Sequence, residues 1–168
     1  LAYERLHACD WTGFADNATK IITGIKARQK SCKSLPLMAF SDDCQDHQIS
    51  AQIFATRFPV SKKPLWTGER YRHKKIRLAY VSPDLREHPV GHLMAGIFEH
   101  HDKSRFETVA ISLGIDDKSR LRSRMLASFD KFVDARTMTS RQIAELMREM
   151  EIDVAVDLAG YTADSRTD

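Results

Sequence analysis

The 168-residue chain is 42% hydrophobic and 29% charged, a composition that excludes a disordered tail and describes a globular protein. Its 26 basic and 23 acidic residues nearly balance at +3, so composition alone gives no polyanion-binding signature. No apolar stretch approaches the roughly 20 residues that cross a bilayer, and Leu1-Ala2-Tyr3-Glu4-Arg5 lacks the pattern of a signal peptide. The three cysteines, Cys9, Cys32 and Cys44, share no CxxC spacing, which argues against a disulfide framework or zinc site and for a reducing cytoplasm. The chain begins without Met and stops at Asp168 just after an apolar run, so both ends read as cut.

Residues 1–60 read as a small all-helical segment. Phe14, Ala18, Ile21, Ile22 and Ile25 recur at helical spacing. The run Leu35 to Phe40 follows, where Pro36 disfavours helix at its neighbour. Ser41-Asp42-Asp43 offers N-caps for a helix reaching about Arg57, with Cys44, Ile49, Ile53 and Phe54 expected on its buried side. No internal repeat of about 34 residues is present, although two or three helices fit the end of a TPR array. Residues 61–75 hold Pro64 and Gly68 among polar and basic side chains and read as a linker. Arg70 to Arg77 is the densest basic run, but beside a linker it reads as solvated charge rather than a nucleic-acid stripe.

From residue 76 the pattern alternates strand with helix. Strands are expected at Ile76–Val81, Phe106–Leu113, Lys131–Asp134 and Ile152–Leu158. Between the first two, Val90, Leu93, Met94, Ile97 and Phe98 form an amphipathic helix. Leu121, Met125, Leu126 and Phe129 mark a second helix. Thr139 opens a third, with Gln142 as its capping-box partner and Ile143, Leu146, Met147 and Met150 as its buried stripe. Such alternation builds an α/β fold: a Rossmann-like parallel sheet over residues 76–168, preceded by the helical segment.

Ligands of such sheets bind outside the carboxyl ends of the strands, at the switch in strand order. In the common 3-2-1-4 order the first and fourth strands are neighbours, so the loops 82–89 and 159–164 face one another. His88-Pro89 predicts an N-cap histidine, and Gly91 predicts an open first turn whose amides could face an anion. His88 there can orient a hydroxyl or pass a proton, with Asp84 as base or orienter; satisfying loop backbone groups is the alternative role for both. His92, four residues after His88, raises a two-histidine metal face, but without HExxH or a third ligand a structural role is favoured. Gly160 suits a positive-φ turn. Asp153, Asp157 and Tyr161 are ambiguous between catalytic and structural roles. The absence of GxGxxG after the first strand and of GxxxxGK[ST] disfavours a dinucleotide dehydrogenase and a P-loop enzyme.

The segment Ile76-Arg77-Leu78-Ala79-Tyr80-Val81-Ser82-Pro83-Asp84, followed by Glu87-His88-Pro89-Val90-Gly91-His92-Leu93-Met94, resembles the opening of the catalytic region of the O-GlcNAc transferase and SPINDLY family, glycosyltransferase family 41. That block commonly reads YVSxDF…HPxxHLM. Phe106-Glu107, Phe132-Val133-Asp134 and Gly160-Tyr161-Thr162 match in order and spacing, and Cys9-Asp10-Trp11 resembles the family's helical neck. The resemblance implies the first half of a GT-B fold and an inverting transfer of sugar from a nucleotide sugar, UDP-GlcNAc foremost, to Ser or Thr hydroxyls of a protein or peptide. It implies no metal or other cofactor. Carried over by position, His88 is the active-site histidine and Asp84 the base or proton-relay candidate. Pro89, Val90 and His92 lie on the sugar-pocket side, and Gly160, Tyr161 and Thr162 in a loop near the same cleft. Leu85, Glu87 and Val90 stand where Phe, Asn and Thr are common, and loss of the threonine hydroxyl changes how a donor sugar is held. A chain lacking the family's second lobe is expected to be inactive alone. A non-catalytic interaction module on a Rossmann-like scaffold is the competing expectation.

Overall fold

The computed structural model describes residues 2–58, 63–162 and 164–166. The chain divides into two compact units, Leu1–Val60 and Ser61–Asp168. The first contains α1 (Ala2–His7), α2 (Phe14–Lys26), α3 (Ser34–Leu37) and α4 (Cys44–Ala55). Its apolar centre is Ile25, Leu37 and Phe40, with Phe14 stacked on Phe40 at 5.7 Å between ring centroids. Two expectations fail here. Pro36 sits inside the single turn of α3, where its missing N–H costs nothing because first-turn amides have no intrahelical acceptor. In α4 the buried side chains are Asp46 and Ser50, whereas Cys44 is exposed and Ile49, Ile53 and Phe54 are half-buried. The polar stripe turns inward because it finds partners: Ser41 Oγ donates to Asp46 Oδ2 at 2.7 Å, Lys26 Nζ lies 3.6 Å from Asp46 Oδ1, and Ser50 Oγ meets Ser34 Oγ at 3.3 Å. Asp43 is the N-cap, accepting the Gln45 amide. All three cysteines are free thiols.

The second unit is a four-stranded parallel sheet in the order β3-β2-β1-β4, formed by β1 (Ile76–Ser82), β2 (Phe106–Ser112), β3 (Lys131–Asp134) and β4 (Val154–Asp157). α5 (Pro89–Glu99), α6 (Arg120–Ser128) and α7 (Ser140–Glu149) connect them. Alternation along β1 sends Leu78 and Tyr80 to one face, where Leu85, Ala95, Phe98, Leu121, Met125 and Phe129 cover them. Ala79 and Val81 go to the other, against Ile143 and Met147 of α7. Tyr80 and Phe98 meet edge to face at 4.9 Å, and the Tyr80 hydroxyl pairs with His101 Nε2 at 2.8 Å. Burial lowers the His101 pKa and raises that of Tyr80, so a neutral imidazole accepts from a neutral phenol. α7 carries the expected capping box between Thr139 and Gln142.

At the amino ends of the strands the basic run is not simply solvated. His73 Nε2 lies 2.8 Å from Glu151 and Nδ1 3.4 Å from Asp153, and Arg77 reaches Glu107, Glu151 and the Met150 carbonyl. Asp153 also accepts the Arg77 amide at 2.8 Å, which gives it a structural role at the end of the sheet away from the expected site. Tyr71 stacks on His73, and Arg148 lies over Tyr71 and pairs with Glu69. The hydrogen bond to Glu151 raises the His73 pKa, and His73 lowers that of Glu151. A raised histidine contributes stability that is complete below its unfolded pKa and is lost as pH rises through the folded value; the lowered glutamate loses its share only in acid. The stability that wild type holds over His73→Gln, read as the difference in urea midpoint, should therefore be largest below about pH 6 and shrink as pH rises through neutrality, while the opposite contribution of His101 is common to both proteins. A difference between the two proteins that does not change with pH would rule out His73 as the titrating group.

Candidate active site at the carboxyl edge of the sheet

Because β4 pairs with β1, with Val81 opposite Asp157, the loops that leave these strands start side by side at the carboxyl edge. The first loop folds back on itself. Buried Ser82 accepts the Asp84 amide on its Oγ at 3.0 Å, and Arg86 Nη2 lies 3.4 Å from Asp84 Oδ1 while Nε reaches the Pro83 carbonyl. His88 is the N-cap of α5 with Pro89 behind it, its Nδ1 accepting the Val90 amide at 3.2 Å. That bond assigns the imidazole: Nδ1 is the acceptor, so the neutral ring carries its proton on Nε2. Asp84 Oδ2 lies 3.7 Å from Nδ1, close enough for electrostatic contact but beyond a hydrogen bond. The Asp84 side chain is 14% exposed and that of His88 35%, so neither is fully buried.

Gly91 is needed for a different reason from the one the sequence suggests. A Cβ there would lie 2.4 Å from the Arg86 carbonyl oxygen and 3.1 Å from Leu121, so the residue admits the returning loop against α5. The first-turn amide of Val90 is already taken by His88, which removes it as an anion donor. His92 pairs with Glu87 at 2.5 Å on the surface, and among the described residues no cluster of three or more His, Cys, Asp or Glu is arranged to hold a metal ion. Val90 is half-buried and Pro89 exposed.

The second loop is a tight turn. Asp157 Oδ1 accepts the amides of Ala159 and Gly160 at 2.8 and 3.1 Å, Gly160 takes φ +54°, and Thr162 donates both its amide and its hydroxyl to the Ala159 carbonyl. Asp157 is thereby a turn former, and Tyr161 is left exposed at the tip. A cavity of about 490 Å³ opens at the same edge, lined by Pro83, Arg86, Gly114, Arg136 and Arg166. Arg86 joins it to the Asp84 loop. The larger cavity of the unit, about 610 Å³ beside α7 and β4, touches neither Asp84 nor His88.

Two braces on the first loop went unread in the sequence, Arg122 from α6 and Asp117 from the connection after β2, with Asp116 of the same connection paired to Arg122. The signal lay in Arg122 itself, a charged residue next to Leu121 and one turn before Met125 and Leu126.

A family model for glycosyl transferase family 41 matches residues 8–168. The chain belongs to glycosyl transferase family 41. A probable UDP-N-acetylglucosamine–peptide N-acetylglucosaminyltransferase of Arabidopsis thaliana is 32% identical over 95 residues, 56% of this chain and 10% of the relative. The corresponding transferase of Caenorhabditis elegans is 30% identical over 113 residues, 65% of this chain and 10% of the relative. A variant of the Thermobaculum terrenum O-GlcNAc transferase superposes with a TM-score of 0.63 at 25% identity, over 89% of this chain and 32% of that one. This family 41 chain thus spans about a tenth of the length of the curated relatives it matches. No helix of the described residues is long and apolar enough to cross a membrane.

Proposed function

We propose that this chain supplies the acceptor-side half of a nucleotide-sugar-dependent protein O-glycosyltransferase. The family match over residues 8–168, joined to a family-type His-Pro loop at the carboxyl edge of a Rossmann-like sheet, carries the reading. UDP-GlcNAc is the donor proposed, by analogy with the named relatives, and serine or threonine of a protein or peptide the acceptor. The setting is a GT-B enzyme of the cytoplasm, with a second lobe closing the cleft and residues 1–60 as the neck following a TPR array.

In this reading Asp84 takes or orients the proton of the attacking hydroxyl, and the His88 Nε2–H donates to an oxygen that gains negative charge as the glycosidic bond to the diphosphate breaks. Pro89 and Val90 border the sugar; His92, Gly160, Tyr161 and Thr162 stand on the substrate side of the cleft. The sugar nucleotide is the only co-reactant this chemistry needs, so no metal or other cofactor is assigned.

Calorimetric titration of UDP, GDP and their sugar conjugates into the longer protein and into this chain tests the proposal. UDP binding by the longer protein and none by this chain is the expected result. Robust sugar transfer by the 168 residues alone would overturn the split site, and absence of nucleotide binding by both would favour the interaction-module reading.

A further inference from the structure

We propose that Arg122 is a positioning residue for the Asp84–His88 loop, acting together with Asp116 and Asp117; the inference rests on the functional reading above. Arg122 is 4% exposed on α6, between Leu121 and Met125 of the core. Burying a guanidinium in such a position is unfavourable unless its donors are used, and an apolar side chain of the same volume generally serves stability as well or better. Its partners explain the charge. Nη1 donates to the Leu85 carbonyl at 2.8 Å and to the Ser112 hydroxyl at 3.2 Å. Nε lies 3.0 Å from Asp116 Oδ1, an ion pair without the alignment of a hydrogen bond. The guanidinium sits 5.0 Å above the Phe132 ring. One side chain therefore ties the candidate catalytic loop to β2, β3 and the connection after β2.

Asp117 completes the hold. Its Oδ2 accepts the Glu87 amide at 2.7 Å, and that bond is the chief reason its carboxyl titrates below the usual range. The same carboxylate accepts the Ser119 amide through Oδ1 at 3.0 Å, which fixes its own orientation. Leu85 and Glu87 are thus gripped from one side, and they are the neighbours of Asp84 and His88. Gly114 lets the two connections touch, since a Cβ there would fall on the Pro83 carbonyl. The loop is held by a buried cation and an acidic partner, neither of which lines the cavity of about 490 Å³ at this edge. Misplacing a reacting group by about 1 Å through a remote change typically costs on the order of 10²-fold in rate.

Arg122→Met, Arg122→Lys and Asp117→Ala in the longer protein test the inference. Arg122→Met should leave the protein folded and lower kcat by about 10²-fold, with a much smaller change in donor KM. Hydrogen exchange at the Glu87 amide should speed up in Arg122→Met and in Asp117→Ala. Arg122→Lys, which keeps the charge but not the fork, should recover part of the rate. Unchanged kcat and unchanged Glu87 exchange in a folded Arg122→Met protein would overturn the proposal. If that variant does not fold, Asp117→Ala carries the same two readouts. A wild-type protein that transfers no sugar would defeat the functional reading alone, because the exchange of Glu87 still decides whether the brace exists.

Discussion

His88→Ala in the longer protein should lower sugar transfer by about 10²- to 10⁴-fold, the range for a positioned proton-transfer group. The same change removes the N-cap of α5 and should cost about 1 kcal/mol of stability. These two effects separate in a second variant. Asparagine caps a helix at least as well as histidine and offers no imidazole, so His88→Asn should restore the unfolding midpoint and leave transfer impaired. Transfer assays and urea titrations on both variants decide the matter. Recovery of the rate in His88→Asn would make His88 a cap and nothing more.

Two glycines of α5 should respond to alanine with opposite signs. At Gly96 a Cβ meets nothing within 4 Å, so Gly96→Ala should stabilise by about 0.5–1 kcal/mol through the lower chain entropy of the unfolded state. At Gly91 the same Cβ would press on the Arg86 carbonyl, which is backbone and held by the braces around it. Gly91→Ala should destabilise by about 1–3 kcal/mol, the usual range for overpacking, and should move Asp84. Urea unfolding of this chain measures both, and stabilisation by Gly91→Ala would show that the loop yields freely.

Most of the sheet unit was legible because its residues face one environment each. Ile76 to Val81 is a short, largely apolar run that both faces of the sheet bury at Leu78, Ala79 and Tyr80, and the Thr139–Gln142 capping box marks a helix start without tertiary help. The helical unit was harder. Asp46 and Ser50 occupy the inward face of α4 because Ser41 and Ser34 hydrogen-bond them and Lys26 lies near Asp46, and periodicity of apolar residues cannot register a polar contact across 16 positions. β4 is shorter than the apolar run Ile152 to Leu158 because pairing, not hydropathy, sets its ends. At the candidate site, His88 as cap and Gly160 at positive φ followed from local rules. Arg122 and the purpose of Gly91 did not, since both depend on which backbone comes back to meet them.

The sheet order also bears on the sequence in which the cleft is assembled. Arg77 meets Glu107 30 residues along the chain, but Asp153 lies 76 residues along. Closing the longer loop costs roughly 0.8 kcal/mol more in chain entropy, and the strand that closes it, β4, has only four residues to pair. Chain entropy therefore favours pairing of β1 with β2, the pair flanking Asp84 and His88, over the addition of β4. Tyr161 follows the last strand to pair, so chain entropy favours closing the His88-Pro89 side of the carboxyl edge before the 159–162 turn.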